Sequence, residues 1–185
     1  MPHTPNHSGD AIAIQKVQAF GEGGQDGIVL TTPSLDPDGH LEDRHSAYHE
    51  NRSPPLVWTP VENAVAYAIV VEDPDAPRER PFVHWLIWNI PGEATSLPEG
   101  LPTEASLGLI GGATQGLNDN GTAGWFGPRP PPGHGLHRYH FQIFALAARL
   151  EFAPDTPLDV LLNALKGDTL ADGLLVATYE APETQ

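Results

Sequence analysis

The residues of this chain whose types and spacing could do chemistry lie in one stretch, VVEDPDAPRERPFVHWLIWNIPG, from Val70 to Gly92. Asp73 and Asp75 stand among prolines, and His84 follows them in the next apolar run. Carboxylates beside an imidazole could form a metal site, a hydrolytic acid–base pair or the lining of a ligand pocket. A structural role is the alternative for the two acids, because Asp commonly accepts backbone hydrogen bonds in turns.

A second group of candidates lies in the later stretch GPRPPPGHGLHRYHFQIFALA. Side chains alternate along a strand, so His137 and Tyr139 share one face while Arg138 and His140 share the other. The two histidines therefore cannot bind one metal from a regular strand, and their H-x-x-H spacing is a poor zinc signature. Taken alone, His137 could equally be an ordinary residue at the end of a strand.

Two long strands must position the acids and His84. AVAYAIVVED has strong β propensity, and it must end near Asp73 because Pro74 and Pro77 cannot donate to a sheet ladder. FVHWLIWNI is the next strand and is stopped by Pro91 and Gly92. The DPDAP segment and His84 should thus meet at the shared end of neighbouring strands. Alternation predicts His84 on the same face as Leu86 and Trp88.

The remaining pattern predicts a β-sandwich with helical additions. AIAIQKVQAF is expected to be a first strand, and GLLVATYE the last one. Between them, LDVLLNALKG has helix signals, with Thr156 as N-cap, Pro157 at the first helical position and Gly167 at the end. The segment Leu35–Ser53 is expected to be a solvated loop, in preference to a metal site, despite its three histidines, His40, His45 and His49.

Composition narrows the class of protein. The chain of 185 residues is the size of one domain, which we assign to residues 11–185 after a flexible terminus at residues 1–10. Its 24 acidic and 9 basic residues give a net charge of −15, which argues against nucleic acid as a partner. There is no cysteine, so disulfides and thiolate chemistry are excluded. The early apolar run Ala11–Phe20 is too short for a membrane span, and we expect a cytoplasmic protein.

Two motif blocks carry a resemblance to a known family. DPDAP followed by HWLIWNIPG, and later GPRPPPGHGLHRY, resemble the phosphatidylethanolamine-binding protein family, also called Raf kinase inhibitor protein-like, and its bacterial branch in particular. The resemblance runs from about Ser53 to Tyr179. It implies a mainly β fold, a Greek-key β-sandwich of two antiparallel sheets with short helices near the C-terminus.

The resemblance also implies a small anion pocket at one end of the central sheet. Such a pocket holds phosphate, acetate or the phosphoryl head of phosphorylethanolamine. Carried over by motif, the expected ligand-binding residues are Asp73, Pro74, Asp75, His84, Gly127, Pro130, His137 and Tyr139. We expect the histidines and the tyrosine to donate hydrogen bonds to the anion, and Asp73 to orient an imidazole. Arg129, in the same loop as Pro130, could add a phosphate contact or face solvent, and we favour solvent.

Two functions follow from these residues. The first is a non-enzymatic protein that binds phosphate, phosphorylated ligands or phospholipid head groups, without a cofactor, and that regulates a kinase or a protease through such contacts. The alternative is a hydrolase, either metal-dependent or using a histidine as base, built on the cluster Asp73, Asp75, His84 and His137. The chain has no Gly-x-Ser-x-Gly elbow and no cysteine nucleophile, which favours the first. A homodimer is left open.

Overall fold

Nine β-strands form two antiparallel sheets in the computed structural model, which describes residues 11–18 and 27–183. The larger sheet has six strands in the order β6-β7-β4-β3-β8-β9, and the smaller has three in the order β1-β2-β5. The strands are β1 Leu30–Thr31, β2 Leu56–Trp58, β3 Ala66–Asp73, β4 Phe82–Pro91, β5 Ser96–Leu97, β6 Ser106–Leu107, β7 Ala113–Gln115, β8 His137–Leu146 and β9 Thr169–Tyr179. The predicted two-sheet, mainly β fold is confirmed. The expected flexible terminus, residues 1–10, lies outside the described residues.

The central strands are covered on both faces. Every residue of β3 is buried, as its unbroken apolar sequence indicates. One face of the large sheet packs against the small sheet around Tyr67, Trp85 and Phe141, while the opposite face packs against two helices. The molecule therefore has three layers, and the central strands end at edges where polar residues can gather.

The first element is a helix, so the strand predicted for AIAIQKVQAF is wrong. Helix α1 is Ala13–Gln18, and it buries Ala13, Ile14 and Val17 against the large sheet. The side chains of Glu72 and Gln142 accept hydrogen bonds from the backbone N–H groups of Ala13 and Ile14, at 2.7 Å each. Strand side chains thus satisfy donors that the start of a helix leaves unpaired.

The second helix lies where the sequence predicts it, with a different start. Helix α2 is Leu158–Asp168, and its N-cap is Pro157, without a side-chain capping bond. The predicted role of Thr156 as N-cap is therefore wrong, since Thr156 lies one residue before the cap. Pro157 is the cap and not the first helical residue, and the helix continues through the predicted stop at Gly167 to Asp168. Leu161, Leu162 and Leu165 bury the inner face of α2. Within the described segments, neither helix is long and apolar enough to traverse a bilayer.

Candidate functional site

The ends of three central strands surround a small cavity of about 130 Å³. Asp73 ends β3, Phe82 begins β4 beside it, and His137 begins β8 on the other side of β3. Of the residues expected from the motifs, the structure brings Asp73, His84, Pro130 and His137 to this cavity. It does not place Pro74, Asp75, Gly127 or Tyr139 among the lining residues.

A β-bulge aims His84 at the cavity. Val71 pairs with Trp85, but the next residue, Glu72, pairs with Val83, so His84 is an extra residue in β4. The bulge shifts the alternation: Trp85 packs on the small-sheet side while Val83 packs on the helix side. The His84 ring meets Tyr139, which belongs to the small-sheet side. The predicted placement of His84 on the face of Leu86 and Trp88 is therefore wrong, because that prediction assumed a regular strand.

A buried acid holds the imidazole of His137. The Nδ1 atom of His137 lies 2.8 Å from Oδ2 of Asp73, and both side chains are almost fully buried. Because a carboxylate can only accept, Nδ1 carries the proton and the neutral ring has its lone pair on Nε2. That Nε2 lies 3.1 Å from Nδ1 of His134. His134 belongs to the segment GPRPPPGHG, residues 127–135, which we call the Pro-rich loop. Asp73 thereby fixes the tautomer and the orientation of His137.

His84 is a buried, neutral imidazole. Its Nδ1–H donates to the backbone carbonyl of Phe126, which leaves Nε2 as the acceptor of the neutral ring. Burial lowers the pKa of His84 below its ordinary 6.5, and the nearby Asp73 opposes this only in part. The ring packs between Phe82, at 4.7 Å between centroids, and the edge of Tyr139, at 5.1 Å.

Asp75 has a structural partner. Its carboxylate accepts from the backbone N–H of Arg138 at 2.9 Å and from the Arg138 guanidinium at 2.9 and 2.8 Å. The side chain of Asp75 is buried, whereas that of Arg138 remains nearly half exposed. The backbone N–H of Asp75 in turn donates to Oδ1 of Asp73 at 2.8 Å. Asp73 thus has both of the roles considered for it. Its Oδ1 accepts a backbone hydrogen bond within the turn, and its Oδ2 accepts from the imidazole of His137.

Tyr139 lies next to the cavity without lining it. Its side chain is fully buried, and its hydroxyl has no hydrogen-bond partner among the residues that the structure describes. Burial raises the pKa of Tyr139 well above 10, so the hydroxyl keeps its proton. The predicted common face of His137 and Tyr139 is seen in the structure, where both are buried and Arg138 between them is exposed.

The segment Leu35–Ser53 supports the Pro-rich loop from outside. His45 is fully buried, so the expectation of a solvated loop is wrong at this residue. Its carbonyl oxygen accepts from the indole N–H of Trp125 at 3.0 Å, and Asn51 accepts from the backbone N–H of Gly127 at 2.7 Å. A Cβ on Gly127 would lie 2.0 Å from the His45 carbonyl oxygen. Only glycine permits this close approach of two backbone segments.

Six lining residues were missed by sequence reasoning, and they close the cavity with apolar and cationic surface. They are Ala76, Pro77, Phe82, Phe126, Arg129 and Pro131. Most are immediate neighbours of the motif residues, so proximity to DPDAP, His84 and the Pro-rich loop was the available signal. Arg129 is exposed, as expected, but it also borders the cavity.

The cluster required by the metal-dependent alternative does not form. Asp75 points its oxygens at Arg138, away from His84 and His137. Within residues 11–18 and 27–183, the group of acids and histidines close enough to share an ion is Asp36, Asp38 and His40, in an exposed turn. A wider groove of about 890 Å³ lies on the helix side between α1 and α2, and none of the expected site residues lines it.

Comparison with known proteins identifies the family to which this fold belongs. A sequence model described as phosphatidylethanolamine-binding protein matches residues 31–180. A UPF0098 protein of Methanothermobacter thermautotrophicus is 38% identical over 151 residues, covering 81% of this chain and 97% of its own. Another, from Pyrococcus abyssi, is 35% identical over 159 residues, covering 85% and 88%.

A solved structure shows the same fold. Escherichia coli YbcL, described as a new member of the mammalian PEBP family, superimposes with a TM-score of 0.77 at 29% identity. The match covers 85% of this chain and 100% of YbcL. The resemblance inferred from the two motif blocks is confirmed: this chain belongs to the phosphatidylethanolamine-binding protein family.

Proposed function

We propose that the chain is a non-enzymatic binding protein that takes a small anion, phosphate or the phosphoryl group of a phosphorylated ligand, into the cavity between Asp73, His84 and His137. One observation carries the proposal. His137 faces the cavity while its other ring nitrogen is hydrogen-bonded to the buried carboxylate of Asp73. Because Asp73 holds Nδ1, Nε2 is the ring nitrogen that a ligand can reach, in exchange for its contact with Nδ1 of His134.

The hydrogen bonds of the two imidazoles imply that a proton enters with the anion. In the neutral rings, the Nδ1 protons of His84 and His137 are both used, by Phe126 and Asp73. Each remaining Nε2 is then an acceptor, and that of His137 already lies 3.1 Å from Nδ1 of His134. An anion can bind there only if it displaces His134 and the ring gains a proton or the ligand supplies one. Affinity for an anion should therefore rise as the pH falls through the histidine range. A ligand that also has an amine or a P–OH group could donate to His84 instead.

The other expected residues take supporting roles in this proposal. Asp75 holds the start of β8 in place through its hydrogen bonds to Arg138. Gly127 lets the Pro-rich loop pack closely against the segment that contains His45. Tyr139 stays in the proposed site because its buried hydroxyl lacks a partner among the described residues and its ring packs on His84. Pro74 contributes by ending β3.

The hydrolase alternative is weaker because its second acid is occupied. Asp75 would have to act as an acid or a ligand, and its carboxylate makes two hydrogen bonds to the Arg138 guanidinium. Phosphorylated head groups and phosphorylated side chains of a kinase or protease partner offer the same phosphoryl chemistry to the cavity. The proposal concerns that shared group.

Isothermal calorimetry with inorganic phosphate, combined with thermal unfolding, tests the proposal. Phosphate should bind and raise the Tm, because a ligand that binds only the folded state stabilises it. His84→Ala and His137→Ala should each reduce this rise. His40→Ala is the matched control, because it removes a histidine from a turn that does not line the cavity. A phosphate response that survives both pocket substitutions would refute the site.

A further inference from the structure

The side chain of Arg129 has a defined place at the edge of the cavity. It lies in GPRPPPGHG, between Pro128 and Pro130, and it lines the cavity with an exposed guanidinium. Flanking prolines fix backbone dihedrals, so the segment around Arg129 loses little conformational freedom when a ligand binds. Because the guanidinium is exposed, it can bind an anion without first losing its own hydration, which is the main cost of a buried charge.

Contacts from a distant segment hold this loop in place. The hydroxyl of Tyr48 donates to the carbonyl of Pro130 at 2.6 Å, and the N–H of Ala47 donates to the carbonyl of Pro128 at 2.9 Å. The two bonds fix the residues on either side of Arg129. The Arg129 guanidinium carbon also lies 5.9 Å from the centroid of the Tyr48 ring. A cation at that distance from an aromatic face is attracted to it, which restricts where the guanidinium points.

The charges around the cavity are uneven. Asp73 contributes a carboxylate that is hydrogen-bonded to His137, and burial keeps His84 neutral by lowering its pKa. Among the described residues that line the cavity, Arg129 is the single Lys or Arg side chain. The cationic charge available to a ligand therefore lies at the rim, on Arg129.

We propose that Arg129 makes this pocket select phosphomonoester dianions over phosphodiesters and other monoanions. The inference rests on the proposed function and names its ligand class. A monoester at neutral pH has close to two negative charges on terminal oxygens, whereas a diester has one. The guanidinium is planar and offers parallel N–H donors that match two oxygens of a terminal phosphoryl group. A diester keeps two non-bridging oxygens against the three of a monoester, so a guanidinium that binds both leaves none for the histidines of the cavity.

Calorimetry with two ligands that share an amine tests the selectivity. Phosphorylethanolamine is the monoester and glycerophosphorylethanolamine is the diester. At about pH 7.5, Arg129→Ala should weaken binding of the monoester about tenfold, the effect of one charged hydrogen bond, and that of the diester about threefold or less. Arg129→Lys keeps the charge without the planar fork and should fall between Arg129→Ala and the unchanged protein. Arg149→Ala is the control, since it removes the same charge from the turn beyond the opposite end of β8.

The possible outcomes separate this inference from the function on which it rests. Equal weakening of monoester and diester by Arg129→Ala, or no weakening of either, overturns the selectivity while the anion pocket stands. A similar loss in Arg149→Ala would reduce the effect to overall charge and would also overturn it. Failure of the unchanged protein to bind either ligand or inorganic phosphate overturns the proposed function, and the inference with it.

Discussion

Acidification should destabilise this protein through His84, and an anion should reverse the effect. The ring is buried against Phe82 and Tyr139, and loss of hydration lowers its pKa below the 6.5 of an exposed histidine. Below pH 6.5 the unfolded chain takes up a proton at His84 before the folded chain does. The free energy of unfolding therefore falls as the pH falls below that value, and it is fully retained above it.

The loss in free energy of unfolding depends on how far the pH falls below 6.5. The loss is about 1.36 kcal/mol for each pH unit below 6.5 over which the folded ring stays neutral, so about 2 kcal/mol is the upper limit at pH 5. Burial also lowers the pKa values of His45 and His140, so both act in the same direction. A domain is stable by only about 5 to 15 kcal/mol, so the loss from His84 alone is readily measured.

Urea unfolding at about pH 7.5 and about pH 5 measures the loss. His84→Gln removes the titrating group and keeps an amide donor for the Phe126 carbonyl. This variant should therefore lose less stability than the unchanged protein between the two conditions, by up to about 2 kcal/mol. His49→Gln, at an exposed ring outside the cavity, is the matched control. If His84→Gln shows the same dependence on pH as the unchanged protein, burial of a neutral His84 is not the cause.

Sulfate supplies the second arm, because it remains a dianion across this range. If the anion binds the protonated pocket, sulfate should raise the free energy of unfolding more at the lower pH, where imidazolium forms at least cost. His84→Gln and His137→Gln should each weaken this gain. Stabilisation by sulfate that is flat with pH, or larger at pH 7.5, would refute proton-linked binding and leave the burial of His84 unaffected.

Three further substitutions test the framework around the pocket. Gly127→Ala should lower the free energy of unfolding by about 2 kcal/mol, because its Cβ would meet the His45 carbonyl, and an unchanged urea midpoint would contradict that close approach. Gly167→Ala, inside α2 with no atom near its Cβ position, should raise it by up to about 1 kcal/mol in the same assay. Asp75→Ala should cost about 1 to 3 kcal/mol, because it leaves the backbone N–H of Arg138 without its acceptor while the exposed guanidinium remains solvated. The phosphate-dependent rise in Tm should persist, and its loss would place Asp75 in the site.

The position of the site could be predicted because it depends on local chemistry. Pro74 and Pro77 cannot extend a ladder, so β3 ends at Asp73 whatever surrounds it. The common face of His137 and Tyr139 could also be predicted, since β8 pairs with β9 in unbroken register over these residues. Where a strand is regular, its alternation is sufficient to say which side chains meet.

Helix α1 shows where local patterns fail. Ala13, Ile14 and Val17 fit an alternating strand almost as well as one face of a short helix, and a window this short does not separate the two periods. The choice is made by Glu72 and Gln142, which accept the first N–H groups of the helix from strands far along the chain. The local contact is weaker evidence: Gln15 accepts from the N–H of Ile12 at 3.1 Å, but the two acceptors on the strands lie far away in sequence and cannot be read beside the helix.

The outer support of the pocket was hidden for the same reason. The segment Leu35–Ser53 is rich in polar and turn-forming residues, which normally indicates a solvated loop. Its role depends on the contacts that His45, Tyr48 and Asn51 make with the Pro-rich loop, whose residues are distant in sequence. The polar side chains of this segment make hydrogen bonds to backbone groups of the Pro-rich loop, where their composition would suggest contact with solvent.

The bulge at His84 is the detail on which the pocket depends most directly. Without the extra residue in β4, alternation would put His84 on the helix side of the sheet with Leu86 and Trp88, away from Asp73 and His137. The extra residue, His84, lies on the small-sheet side while Trp85 stays in the core, so the same strand supplies both the core and the candidate site. Because the bulge is defined by pairing between β3 and β4, a sequence pattern can locate His84 at the strand end but cannot assign its face.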